Sequence, residues 1–239
     1  MSRRAAAALL ASLSALVAAP AWGWGGKMHE IINRRAAEAV AGPAAVAWGP
    51  LARTLGAHAS DADHRKGSDS AEPPRHFIDI DAWDDPPFDD VPRTLEGMFR
   101  RYGREATQRF GVVPWAIDES YRMVVLSLRR GDWASAAAWA ADLGHYVADS
   151  HQPLHCTVNY NGQLSGNDGV HIRYEVTMMN RYFREDSIGP FRIREHPGGS
   201  PVDRCFEWIA EAYPGVAPIL AADSLARAED PEFGDDYMS

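Results

Sequence analysis

Residues 142–155 read D-L-G-H-Y-V-A-D-S-H-Q-P-L-H. His145 and Asp149 stand four apart in a run rich in Ala, Trp and Leu, so a helix stacks both side chains on one face. Pro153 stops that helix, and His155 beyond the stop can swing back toward the same face. An imidazole, a carboxylate and a second imidazole then converge from a helix and its exit turn. This is metal-ligand chemistry: neutral imidazole with carboxylate suits zinc, and a catalytic zinc takes three protein ligands with one position open for water. A single His on a buried helix is more commonly a hydrogen-bonded core residue. The recurrence of ligand-type residues at His29, Asp61, Asp63, His76, His171 and Glu175, each in its own local pattern, argues for metal instead.

The elements that must bring these residues together can be read in order. Apolar positions at helical spacing predict a helix over 27–41, stopped by Gly42-Pro43, with His29 in its first turn. A second helix is expected over 44–55. The polar, proline-bearing loop after it holds Asp61 and Asp63, and it ends in His76, which Phe77 and Ile78 pull inward. Either aspartate could share a metal with His76, and spacing alone does not separate them. Residues 81–92, dense in Asp and Pro, read as a surface loop at the mouth of a cleft. An amphipathic helix is expected over 94–110. The next begins at Pro114 and buries Trp115, Ile117, Tyr121, Val124, Val125 and Leu128. After the Ala-rich helix from Trp133 and a Gly/Asn loop, His171 and Glu175 again stand four apart on one helical face. Arg173 lies on another face, toward solvent or a phosphate. Ser200-Pro201 reads as a helix start, and a last amphipathic stretch covers 214–227. The sum is an all-α single domain of about seven helices with long loops around the metal cleft.

The bulk numbers bound the function. With 239 residues, 46% of them hydrophobic, the chain can fill one substantial core. The formal net charge of -9 repels polyanions unless cations are fixed in the site. There is no basic run, internal repeat or low-complexity linker. Residues 1–23 carry Arg3 and Arg4, an apolar run and small residues before Trp24, the pattern of a secretory signal. The run is short of the ~20 apolar residues of a spanning helix. The expected product is secreted or periplasmic, with Trp24 as its new N-terminus, whose amine and carbonyl can chelate a metal together with His29. Cys156 and Cys205, the two cysteines, could form one structural disulfide in that compartment.

Taken together, an N-terminal Trp with a His soon after it, an Asp before H-F-I-D, the core H-x-x-x-D-x-H-Q-P-L-H and a final H-x-x-x-E are familiar. The chain resembles the superfamily that joins zinc-dependent phospholipase C with the fungal single-strand-specific zinc nucleases, all-helical proteins holding three zinc ions. The resemblance covers most of 24–175 and weakens after Tyr213. It implies one zinc on Trp24, His29 and Asp149, and a second on Asp61 (or Asp63), His76, His145 and Asp149, so that Asp149 bridges. A third falls to His155, His171 and Glu175. Asp61 and Asp149 are then the catalytic carboxylates. His151, and Asp63 if Asp61 is the ligand, would support the ligands by hydrogen bonding rather than bind metal. Phe77 and Asp79 resemble positions that in the nucleases stack on and hydrogen-bond a base. Glu175 matches the phospholipase branch, where the nucleases have Asp, while the H-Q-P-L-H wording leans toward the nucleases.

These readings lead to a metal-dependent phosphodiester hydrolase. Paired zinc lowers the pKa of bound water to about 7, so hydroxide is available to attack phosphorus in line. An endonuclease acting on single-stranded DNA or RNA is the first expectation, and a phospholipase C cleaving phospholipid headgroups the second. A non-enzymatic, secreted zinc-binding protein is the third. A monomer without a stable protein partner is expected.

Overall fold

The computed structural model describes residues 25–187, 198–234 and 237. The expected signal segment and Trp24 lie outside them. Among the described residues the chain is all-α, without a strand. No helix among them is long and apolar enough to cross a membrane.

The first helix, α1 (Gly26–Ala39), has the expected position. The predicted helix over 44–55 is present as a run of successive 3-10 and α turns. Pro43 and Pro50 each open a short 3-10 turn, an α-helical turn Ala45–Trp48 lies between them, and α2 (Ala52–Ala57) follows before α3 (Asp61–Arg65). The predicted helix over 94–110 is likewise two, α4 (Leu95–Tyr102) and α5 (Arg104–Arg109), parted by Gly103 at φ 85°. Thr94 caps α4 by accepting from the Gly97 amide.

The centre of the fold is a hairpin of α6 (Val113–Arg129) and α7 (Trp133–Ser150), turned at Gly131 with φ 70° and recapped by Asp132, which accepts from the Ser135 amide. The buried face of α6 is only partly the one expected: Ile117 and Val124 are buried and Trp115, Val125 and Leu128 half-buried, as predicted. Val113, Ala116, Ile117, Ser120, Val124 and Ser127 face inward, while Tyr121 is 47% exposed. The Ala-rich α7 has Ala136, Ala137, Ala141 and Ala148 buried, small side chains that admit close approach of a neighbouring helix. After α7, a 3-10 turn over Pro153–Cys156 carries His155. A further helix, α8, starts as Val170–Ile172, widens to a π-helix over Arg173–Met178 and ends as Met179–Tyr182. Then come α9 (Pro201–Ala212), capped by Ser200, and α10 (Val216–Glu229).

The main apolar cluster gathers Ile78, Ile80, Met98, Ile117, Tyr146, Phe206 and Ile209 between α6, α7 and α9. Phe88 and Val91 join it, so the segment read as a surface loop is anchored in the core at two points. Burying each such side chain contributes roughly 1.5–3 kcal/mol. A smaller cluster of Ala37, Leu55 and Ala137 holds α1 and α2 against α7. The possible disulfide is not formed. Cys156 and Cys205 are free thiols inside the main cluster, and burial pushes both pKa values up.

Candidate metal centre

The ligand-type side chains come from six elements. His29 comes from the first turn of α1, Asp63 from α3, His76 from the 3-10 turn Pro73–His76, and His145 with Asp149 from α7. His155 comes from the exit turn, and His171 with Glu175 from α8. All eight converge as three groups able to hold a metal ion: His29, His145 and Asp149; Asp63, His76 and His145; and His155, His171 and Glu175.

Asp149 joins them. Its Oδ2 lies 2.9 Å from His76 Nδ1 and 3.2 Å from His145 Nε2. Its Oδ1 lies 3.4 Å from His29 Nε2 and 3.8 Å from His155 Nδ1. Asp63 Oδ1 closes the second group at 3.7 Å from His76 and 3.6 Å from His145. In the third, Glu175 puts one oxygen 3.3 Å from His155 Nε2 and the other 3.1 Å from His171 Nε2. Metal bonds of ~2.0–2.1 Å in a tetrahedron place ligand atoms on the order of 3.3 Å apart, within the spread of these spacings.

The hydrogen bonds behind the imidazoles fix which nitrogen faces inward. His145 Nδ1 donates to the Ala59 carbonyl at 2.7 Å, His155 Nδ1 to the His76 carbonyl at 2.7 Å, and His171 Nδ1 to the Tyr160 carbonyl at 3.1 Å. A carbonyl only accepts, so each Nδ1 carries a proton, and in the neutral ring that a metal requires each Nε2 keeps its lone pair. His76 is reversed. Its Nε2 donates to Glu72 Oε1 at 3.2 Å, which leaves Nδ1 facing His145 Nε2 across 2.9 Å. Two lone pairs at that distance repel unless a cation lies between them. His29 Nδ1 and Nε2, Asp149 Oδ1, His155 Nε2 and both Glu175 oxygens are buried without a hydrogen-bond partner. Leaving that many polar atoms unsatisfied is strongly unfavourable, and metal coordination removes the penalty. The donor set, imidazole nitrogens with carboxylate oxygens, fits zinc.

Electrostatics are dominated by burial, which opposes every charged form. For Asp149 the facing His145 and His155 outweigh it, holding the carboxyl well below the usual range. Burial likewise opposes protonation of His155, yet Glu175 and Asp149 raise its pKa to about 9. His29, where burial and then His145 prevail, falls to about 4.

Two expectations are corrected. Asp61 is turned outward and pairs with His58 at 2.8 Å, with nearly half of its side chain exposed. Asp63, tied to Lys66 at 2.7 Å, takes the place at the cluster instead. His151 does not support Asp149. It is exposed, donates to the Val147 carbonyl and lies over the Trp208 ring. Phe77 is half-buried, with the Gly111 backbone packed on it so closely that a Cβ there would sit 2.2 Å from the Phe77 carbonyl oxygen. Asp79 is buried with Oδ1 unpartnered, and burial, then Asp81, push its pKa up to about 8.

Sequence reasoning missed Glu72. Its buried carboxylate accepts from His76, from the Tyr146 hydroxyl and from Arg65 Nε at 3.1 Å. The signal was present as E-x-x-x-H, four residues before His76, inside a loop whose polar composition reads as solvated. Trp24 lies outside the described residues. Gly25, beside it in the chain, lies against α8, where a Cβ would be 3.5 Å from the Glu175 carbonyl oxygen. No protein-family model and no curated protein matches the chain.

Proposed function

We propose that the protein is an exported zinc-dependent phosphodiesterase, related to the zinc-dependent phospholipases C and single-strand-specific zinc nucleases, and that it hydrolyses single-stranded nucleic acid. The observation that carries this reading is Asp149, whose two oxygens face two different groups of imidazoles. A carboxylate so placed suits a bridge between two metal ions. Bound zinc would supply a lowered water pKa and positive charge for the phosphoryl oxygens.

The chain's own residues do the rest. The carbonyls of Ala59, His76 and Tyr160 and the Glu72 carboxylate lock the imidazoles in place, so the ligands are positioned before substrate arrives. Asp79, protonated at neutral pH, offers a hydrogen-bond donor to a base, and Phe77 beside it offers a ring to stack on. An acidic surface attracts duplex DNA weakly at long range, whereas stacking a splayed base needs little such attraction.

Glu175 favours a second reading, phospholipase C, because the phospholipase branch has Glu at the matching position. The zinc-loaded mature protein is to be incubated with single-stranded DNA and, separately, with phosphatidylcholine dispersions. Cleavage of the DNA is expected. Product from the lipid alone would overturn the order of the two readings.

A further inference from the structure

Arg173 stands midway between the ligands His171 and Glu175, two residues from each, and so projects from the opposite side of α8. It meets neither solvent nor a free anion-binding face. Its Nε and Nη2 donate to Asp223 Oδ1 at 3.0 and 2.6 Å, with Asp223 reaching in from α10. Nη1 donates to the Asp168 carbonyl at 2.8 Å, and the Phe233 ring lies 4.4 Å from the guanidinium. Asp223 Oδ2 accepts from Asn167 Nδ2 at 2.7 Å, and the Tyr237 hydroxyl donates to Oδ1. The pair is enclosed, with 12% of the Arg173 and 2% of the Asp223 side chain exposed. Gly169, at φ 84°, leaves room for it, since a Cβ there would stand 2.8 Å from Arg173 Nη1.

This clamp ties the outer face of α8, whose first turn has no side-chain cap, to α10. Turning α8 about its axis would swing His171 and Glu175 away from His155 together, and the clamp opposes that turn. We infer that Asp223, through Arg173, is a positioning residue for the His155/His171/Glu175 metal group, so that α10 governs occupancy of that group from outside it. The inference rests on the metal-binding reading above.

Zinc binding to the full mature chain decides it, measured by equilibrium dialysis with metal analysis. Wild type is expected to hold three ions. Fewer than two would sink the metal reading itself, independently of Asp223. In Asp223→Asn one ion is expected to bind at least about tenfold more weakly, in the range of outer-shell changes, while the other two keep wild-type affinity. Adding His155→Ala to Asp223→Asn should then cost no further ion beyond His155→Ala alone, and Asp223→Glu should recover part of the affinity. Three ions at wild-type affinity in Asp223→Asn, or equal weakening of all three, would overturn the inference. Should Asp223→Asn fail to fold, Tyr237→Phe removes only the hydroxyl that donates to Asp223 and accepts from Arg173 Nε, and keeps the carboxylate. It is expected to weaken the same ion a few-fold, and unchanged affinity there would overturn the inference as well.

Discussion

Asp149 Oδ2 lies 2.9 Å from His76 Nδ1, although 73 residues separate the two in the chain. Oδ1 of the same carboxylate reaches toward His29 in α1 and His155 in the exit turn of α7. One side chain therefore touches imidazoles from three remote parts of the molecule, and no other residue can take its place at the junction of the groups.

Replacement of Asp149 by Asn keeps the shape and removes the charge. The variant is expected to lose metal from the His29 and His76 groups, with a fall in phosphodiester hydrolysis larger than the roughly 10–100-fold of outer-shell changes. Metal content after dialysis and turnover on single-stranded DNA are the measurements. Full turnover in the variant would refute the bridging role.

Asp61 and Asp63 separate cleanly. Asp61→Ala removes an exposed pair with His58 and is expected to change stability by less than ~1 kcal/mol and metal content not at all. Asp63→Ala strips a carboxylate from the His76/His145 group and is expected to release an ion. The reverse result would show that α3 is turned the other way in solution.

How much of this was legible follows from what fixes spacing. His145 with Asp149, and His171 with Glu175, could be paired from sequence because helical geometry alone puts residues four apart on one face. The all-α class followed from the same periodicity. Asp61 against Asp63 could not be settled, since two residues apart on a short helix they point to opposite sides, and only the packing of Ala62 and the Lys66 pair select the inward one. His151 was misread because the end of a helix does not announce which way its last side chains turn. On α6 the sequence reveals the buried Ile117 and Val124 but not the buried Ser120 and Ser127, because small polar side chains carry no hydrophobic signal.

Glu72 accepts from His76 and thereby directs Nδ1 inward. Glu72→Gln is expected to weaken metal at that group by roughly 10–100-fold. Glu72→Ala leaves the Tyr146 hydroxyl and Arg65 Nε without their acceptor as well and is expected to cost a further ~1–3 kcal/mol in unfolding free energy. Zinc titration with parallel denaturant unfolding checks both. Equal metal affinity in all three proteins would remove Glu72 from the site.

Asp79 makes stability depend on pH in a predictable sense. Burial and Asp81 raise its pKa from an ordinary 3.8 to about 8, so between those values the unfolded chain has released a proton that the folded chain retains. Stability from this group is fully present below about pH 4 and declines as pH rises toward 8. The melting temperature of Asp79→Asn relative to wild type should therefore climb across that window. A constant difference from pH 4 to 8 would mean that Asp79 is ionised in the fold.

Gly144 tests how closely α1 must approach α7. A Cβ at that position would stand 2.1 Å from Asn33 Oδ1, and Asn33 Nδ2 in turn donates to the Ala141 carbonyl at 2.9 Å. The glycine thus lets α1 lie against α7 one turn from His29, whose ring stacks on His145 at 3.8 Å between centroids. Gly144→Ala adds one methyl group where nothing can yield without breaking the Asn33 bond or parting the helices. The expected cost is ~1–3 kcal/mol in unfolding free energy. A parted pair would also draw His29 from Asp149, so the ion of the His29 group should weaken more than the other two. Pairing the change with Asn33→Ala removes the obstructing oxygen, and part of the lost metal affinity should return. If Gly144→Ala alone leaves stability and all metal affinities as in wild type, the close approach of the two helices is not what holds His29 in place.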